Sequence, residues 1–298
     1  MSQTQLNLVI ADIQKSLGSW GPDSSLEEMR VGWDGLFGDI EPTVGASSEP
    51  VDAGGVRAEW ISAPGSAHDR AVLYLHGGGY VLGSINSHRD LCERLSRACG
   101  ARALALDYRL APEHPFPAAI EDATAAYRWL LDSGLEPGKL AVAGDSAGGG
   151  LTVATLVALR DAGVPLPGCA TPLSPWSDLE LTGESFISRA DIDPMVRKYM
   201  LVHMAGIYVP DGDLRNPLVS PVHADLSGLP PLLIHVGERE VIHDDAARVA
   251  DNARKAGVDV TFNVWAGQIH VHQIFASRLD EGQQAIDQLG DFIRKHTA

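Results

Sequence analysis

The chain has 298 residues, with 23 Lys and Arg against 39 Asp and Glu and a formal net charge of −16. Clustered cations carry nucleic-acid binding, so this balance argues against a nucleic-acid partner and, for the same reason, against an anionic membrane surface. The length and the 45% hydrophobic content suffice for a substantial core in one large domain or two small ones, and the Gly and Pro are scattered rather than gathered into a low-complexity tract.

Helical patterns come first. Leu6–Ser16 and Ser24–Phe37 precede any predicted strand, and with Trp20, Trp33 and Phe37 they are more apolar than a free linker. From about residue 55 short apolar runs alternate with longer helical patterns. The predicted strands are Ala71–Leu75, Ala101–Leu106, Leu140–Ala143, Gly168–Leu173, Leu232–Val236 and Val260–Trp265; the predicted helices are His88–Ala98, Ala118–Leu131, Ala147–Ala162, His243–Ala256 and Asp280–Lys295. Such alternation predicts a mainly parallel sheet covered on both faces, with ligands at the carboxyl ends of the strands. Asp178–Tyr208 interrupts it with further helical material carrying Phe186, Met195, Tyr199, Met200, Met204 and Tyr208. A stripe of Met and aromatic residues is usually core. The alternative is that this segment and residues 1–50 together cap a pocket.

Cys92, Cys99 and Cys169 lack paired spacing, so buried free thiols are expected, with no disulfide framework and no zinc site. The N-terminus has neither a basic region nor a long apolar run, and the protein is read as cytoplasmic.

Gly144-Asp145-Ser146-Ala147-Gly148-Gly149 lies between a predicted strand and a predicted helix. A G-x-S-x-G match alone is weak, but this context gives it a physical meaning. A serine presented above a sheet on a sharp strand-to-helix turn needs small neighbours two positions away on either side, and the helix that follows aims its N–H groups at the same place. Upstream, strand Ala71–Leu75 runs into His76-Gly77-Gly78-Gly79-Tyr80. Consecutive glycines free the backbone to approach a ligand closely; in acyl transfer, amides so placed stabilise the oxyanion. Phosphate cradling is the rival, but no Gly-Lys-Ser/Thr follows.

With Tyr108-Arg109-Leu110-Ala111-Pro112-Glu113-His114-Pro115-Phe116-Pro117-Ala118-Ala119, these motifs resemble the signature set of the hormone-sensitive-lipase-like, bacterial family IV carboxylesterases of the α/β-hydrolase superfamily. The resemblance spans essentially the whole chain. It implies an α/β-hydrolase domain over residues 51–298 with a cap built from residues 1–50 and an insertion at about 178–208. It also implies oxyanion donors at Gly78 and Gly79, with Gly77 as a further candidate, and at Ala147. Arg109 and Glu113 would be buried structural partners. A homodimer through the strand near Val260–Trp265 is compatible with it.

A serine needs a histidine base and an orienting carboxylate, and in this superfamily the order is Ser, acid, His. Of eleven histidines, His270, His272 and His296 follow the last predicted strand. His296 is expected to be solvated at the C-terminus. His270, in the loop before the terminal helix, is the candidate base. His272 departs from the family's apolar residue nearby and reads as a polar pocket or rim residue. The acid is expected at Glu240, just past Leu232–Val236, where relatives commonly carry Asp-Pro-Leu. Asp244 and Asp245 are explained by helix capping and Glu238 by solvation. The expected activity is hydrolysis of short- to medium-chain acyl esters by Ser146, Glu240 and His270, without metal or organic cofactor. An amidase or arylacetamide-type deacetylase, or a non-catalytic small-molecule-binding protein on the same scaffold, stands as the alternative.

Overall fold

The structure, a computed structural model, describes residues 2–18, 20, 24–38, 40, 44–210 and 212–298. Its strands are β1 (Ser47–Asp52), β2 (Arg57–Ser62), β3 (Ala67–Leu75), β4 (Ala101–Leu106), β5 (Leu140–Asp145), β6 (Cys169–Leu173), β7 (Leu232–Gly237) and β8 (Val260–Trp265). They form one sheet in the order β1-β2-β4-β3-β5-β6-β7-β8, parallel from β4 to β8 and antiparallel where β1 meets β2 and β2 meets β4.

The helices are α1 (Gln3–Leu17), α2 (Leu26–Phe37), α3 (Ile85–Cys99), α4 (Ala118–Asp132), α5 (Ala147–Asp161), α6 (Ser185–Ser188), α7 (Lys198–Tyr208), α8 (His243–Lys255) and α9 (Asp280–His296). Side chains alternate across a strand, so each central strand feeds two cores. Val72, Tyr74, Ala141 and Ala143 join Leu91 and Leu95 of α3 and Ile286 and Leu289 of α9; Leu73, Leu75 and Val142 join Leu130 of α4 and Leu151 and Leu156 of α5. Burial on both faces explains why these strands read as unbroken apolar runs.

The antiparallel edge was not visible in the apolar pattern. β1 is Ser-Ser-Glu-Pro-Val-Asp and almost wholly exposed, as an edge strand tolerates, so it carries no apolar signature. A boundary at residue 50 therefore falls inside β1, and the helical N-terminal segment ends before Ser47. Parts of that segment, residues 1, 19, 21–23, 39 and 41–43, lie outside the described residues. In the 178–208 insertion the described helices are the four-residue α6 and α7, with irregular chain around them. The three cysteines are free and buried.

Two expectations about single residues are corrected. Arg109 is exposed and pairs with Asp122 at 2.7 Å and Glu121 at 3.0 Å, while Glu113 is exposed and receives Arg30 at 2.8 Å; the buried member of this set is Asp122. His296 is half-buried, its ring 4.5 Å from Phe292 within α9, because the terminal helix is docked along its apolar stripe rather than frayed.

Candidate active site

Ser146 sits between β5 and α5 with φ 54° and ψ −119°, a strained conformation for a residue with a side chain. Its amide donates to Leu173 O at 2.9 Å, and its carbonyl accepts from Gly150 N at 3.0 Å and Trp176 N at 2.9 Å, so the turn is fixed from both ends. A Cβ at Gly144 would run into the carbonyls of Leu75 and Gly148, and one at Gly148 into that of Leu75. The glycines two positions from the serine are thus required by backbone contact.

Asp145 turns the other way and gathers the loop after β3. Its buried carboxylate accepts from Tyr74 Oη at 2.8 Å and Gly77 N at 3.1 Å, and it lies 3.2 Å from His88 Nε2. Burial opposes its charge, but His88 and Tyr74 outweigh that and hold its pKa below the usual carboxylate value. The Gly77 amide is therefore taken by Asp145, which corrects its assignment as an oxyanion donor. Gly78 and Gly79, at φ 119° and 65°, carry the loop onward. Among the described residues, the amides of Gly78, Gly79 and Ala147 have no protein acceptor. His76 bonds through Nδ1 to Gly77 O at 2.7 Å and stacks on Tyr108 at 4.2 Å. Burial and the nearby His88 push its pKa down to about 3, so it stays neutral.

His270 and Glu240 meet across the ends of β7 and β8. Glu240 is fully buried, and its Oε2 accepts from His270 Nδ1 at 2.8 Å. Its other oxygen accepts from Ser174 Oγ at 2.7 Å and from the Gly237 amide. Burial works against an imidazolium at His270, yet the charge and hydrogen bond of Glu240 prevail and raise its pKa above the ordinary value. Ser174 was missed from the sequence; a serine just past a strand, at φ 42°, carries no motif of its own.

Asp244 and Asp245 hold other partners. Asp244 accepts from Ser185 N at 2.9 Å and Asp245 from Ser177 N and Asp178 N at 2.9 Å each, so they tie the insertion to α8 instead of capping that helix. Burial, aided by Asp178, raises the Asp245 pKa well above the carboxylate range. Glu238 is exposed as expected, but it also accepts from Gly267 N at 2.7 Å and braces the His270 loop.

Ser146, Gly78, Gly79 and His270 line one cavity, with Trp33 and Phe37 of α2 and Met195, Val196, Met200, Leu201 and Met204 of the insertion as its apolar walls. Asp193 joins wall to floor: it accepts from Met195 N, Val196 N and Val241 N, each at 2.9 Å. Among the described residues, Asp178, Glu180 and His223 have ligand atoms close enough for one metal ion. Asp178 is already paired with Arg248 at 2.6 Å, and none of the three lines the cavity.

A mainly parallel sheet with a strained serine at a strand-to-helix turn, a glycine loop opposite it and a Glu–His pair nearby defines an α/β hydrolase. The sequence pattern of a family described as alpha/beta hydrolase fold matches residues 72–274. An acetyl-hydrolase from Streptomyces hygroscopicus is 47% identical over 278 residues, 92% of each chain. An esterase of the bacterial hormone-sensitive lipase family superimposes with a TM-score of 0.97 at 46% identity, covering 100% of both chains. EstE5, in crystals soaked with p-nitrophenyl butyrate, gives 0.94 at 45% identity, with 100% of this chain and 99% of EstE5 covered. The chain belongs to the hormone-sensitive-lipase-like carboxylesterases of the α/β-hydrolase superfamily. Among its described residues, no helix is long and apolar enough to cross a membrane.

Proposed function

We propose that this chain hydrolyses short- to medium-chain acyl esters through an acyl-enzyme on Ser146. The observation that carries the reading is the 2.8 Å bond from His270 Nδ1 to Glu240, made beside the cavity that His270 and Ser146 share. With Nδ1 held there, Nε2 is the nitrogen left to take the serine proton. Ser146 Oγ attacks the ester carbonyl carbon, and the carbonyl oxygen, now negative, is stabilised by the amides of Gly78, Gly79 and Ala147. His270 returns the proton to the departing alcohol. Water, activated by the same imidazole, then releases the acid and restores Ser146. Glu240 fixes the ring and stabilises its cationic form.

The roof formed by α2 and the insertion acts as a cap over an apolar pocket, which favours short acyl groups over long lipid chains. The butyrate ester soaked into EstE5 and the acetyl-hydrolase relative agree with this size. The test is turnover of p-nitrophenyl esters by the wild type and by Ser146→Ala. Butyrate turnover should exceed hexadecanoate turnover, and Ser146→Ala should lose about 10⁴-fold or more in kcat. An inert wild type, or an equally active variant, overturns the reading; a flat chain-length profile overturns the closed cap.

A further inference from the structure

The loop that carries His270 buries a second histidine that the reaction above does not use. His272, fully buried, has both ring nitrogens without a hydrogen-bond partner among the described residues. Its ring lies 5.1 Å from that of Trp265, whose Nε1 is buried and equally unpartnered, and the Trp265 ring lies 5.6 Å from that of His235. His235 is fully buried on β7. Its Nε2 accepts from Asn263 Nδ2 at 3.4 Å, and the same nitrogen of Asn263 donates to Gln288 Oε1 at 3.1 Å. That bond places the His235 proton on Nδ1, which again has no partner. The same loop buries Gln268 and Gln273, whose amides are also unpartnered.

These groups are neutral. Burial drives the pKa of His235 to about 3, and burial with His235 nearby does the same to His272. An anion would lack a charged donor here, and a metal would lack a third ligand, since these histidines belong to no three-ligand group among the described residues. The inventory of the three rings is lopsided. His235 Nδ1–H, Trp265 Nε1–H and one His272 nitrogen donate, and one His272 nitrogen accepts. Buried polar groups in native proteins find partners. A water oxygen meets this need, accepting from two of the N–H groups while one of its protons goes to His272.

We propose that His272 is a positioning residue for His270, acting through buried water that it shares with His235 and Trp265. The mechanical link is short. Val271, between the two histidines, is held at φ 46°, and its amide donates to Ser174 Oγ at 3.4 Å, the hydroxyl that donates to Glu240. On the other side the His272 carbonyl packs against α9 so closely that a Cβ at Gly282 would meet it at 2.7 Å. His270 and His272 thus act on opposite sides of one clamped turn. Displacing His272 moves His270 and the Ser174–Glu240 contact together.

This inference rests on the Ser146–His270–Glu240 reading, and the test separates the two. His272→Phe keeps the ring and removes the polar atoms; His272→Gln keeps a donor and an acceptor. With p-nitrophenyl butyrate, the Phe variant should lose about tenfold in kcat with KM within about twofold, while the Gln variant returns to within about threefold of wild type. In the Phe variant the low-field NMR signal of the His270 Nδ1 proton should broaden or move. Wild-type kcat with an unmoved signal in the Phe variant, or a Gln variant no better than Phe, overturns the proposal. Should the Phe variant fail to fold, an ordered water within about 3.2 Å of His235 Nδ1 and His272 in a high-resolution wild-type crystal structure supports it. Direct pairing of these side chains without water overturns it. His270→Ala with full activity overturns the triad reading itself; an inactive His270→Ala beside an unaffected His272→Phe overturns only this proposal.

Discussion

The floor and the roof of the cavity are built from different forces. On the floor, the two buried carboxylates are held by directional bonds: Asp145 collects a hydroxyl, an amide and an imidazole, and Glu240 collects Ser174, the Gly237 amide and His270. The roof meets the cavity with Trp33, Phe37, Met195, Met200, Leu201 and Met204, whose contacts are mainly dispersive and which include the most adaptable apolar side chain. Polar ties lie at its margins, where Arg30 donates to Val81 O at 2.9 Å and Ala111 O at 3.0 Å and Asp193 accepts from Val241 N. Directional bonds fix positions to fractions of an ångström, as bond making requires; dispersion fixes volume. Chemistry should therefore be sensitive to floor substitutions and substrate size to roof substitutions.

The severest break of that contrast is Glu240→Gln, which keeps the shape of the floor but removes its charge. It should lower kcat by about 10³–10⁴-fold, as loss of an orienting carboxylate does elsewhere. The pH profile gives a second readout. His270 must be neutral to accept a proton, and its raised pKa puts the acid limb of kcat/KM above the usual imidazole value of about 6.5. Without the carboxylate, burial dominates and the limb should move to lower pH; a limb that stays in place would show that another group sets it.

Asp145→Asn is the next smaller effect. The amide oxygen can still receive Gly77 N–H and Tyr74, but the charge facing His88 is gone. A loss of about tenfold to a hundredfold in kcat with little change in KM is expected, smaller than the about 10²–10³-fold that outright removal of an oxyanion donor costs. An unaltered kcat would mean that the glycines alone hold the loop.

The mildest change belongs to the roof. The Met204 sulfur occupies the space that a Cβ on Gly79 would enter, which puts this flexible side chain over the glycine loop. Met204→Ala should leave butyrate turnover within about twofold and raise the octanoate-to-butyrate ratio about threefold to tenfold, since pocket methylenes discriminate on this scale. An unchanged ratio would remove the roof as the size filter.

Most of the floor could be read along the chain, but its wiring could not. The serine turn is legible because the backbone crowding at Gly144 and Gly148 is a demand on residues two positions from Ser146. Glu240 and His270 are legible as the acidic and imidazole residues at the ends of β7 and β8. By contrast, Gly77 and Gly78 look alike in sequence. Their amides differ because Asp145, from another strand, takes one of them. Asp244 and Asp245 stand where capping residues would, yet their acceptors' partners lie some sixty residues away in Ser185, Ser177 and Asp178. β1 escaped because an exposed edge strand has no reason to be apolar.

Sequence alone determined the alternation of strand and helix and the sharp turn at Ser146, because each follows from local backbone geometry or from burial that leaves a periodic imprint; the expected order of serine, acid and histidine came from the family resemblance. Tertiary structure decided that Asp145 takes the Gly77 amide, that Ser174 completes the environment of Glu240, and that His272 is fully buried. Those outcomes depend on hydrogen bonds and packing between residues far apart in the chain, whose meeting no local pattern encodes.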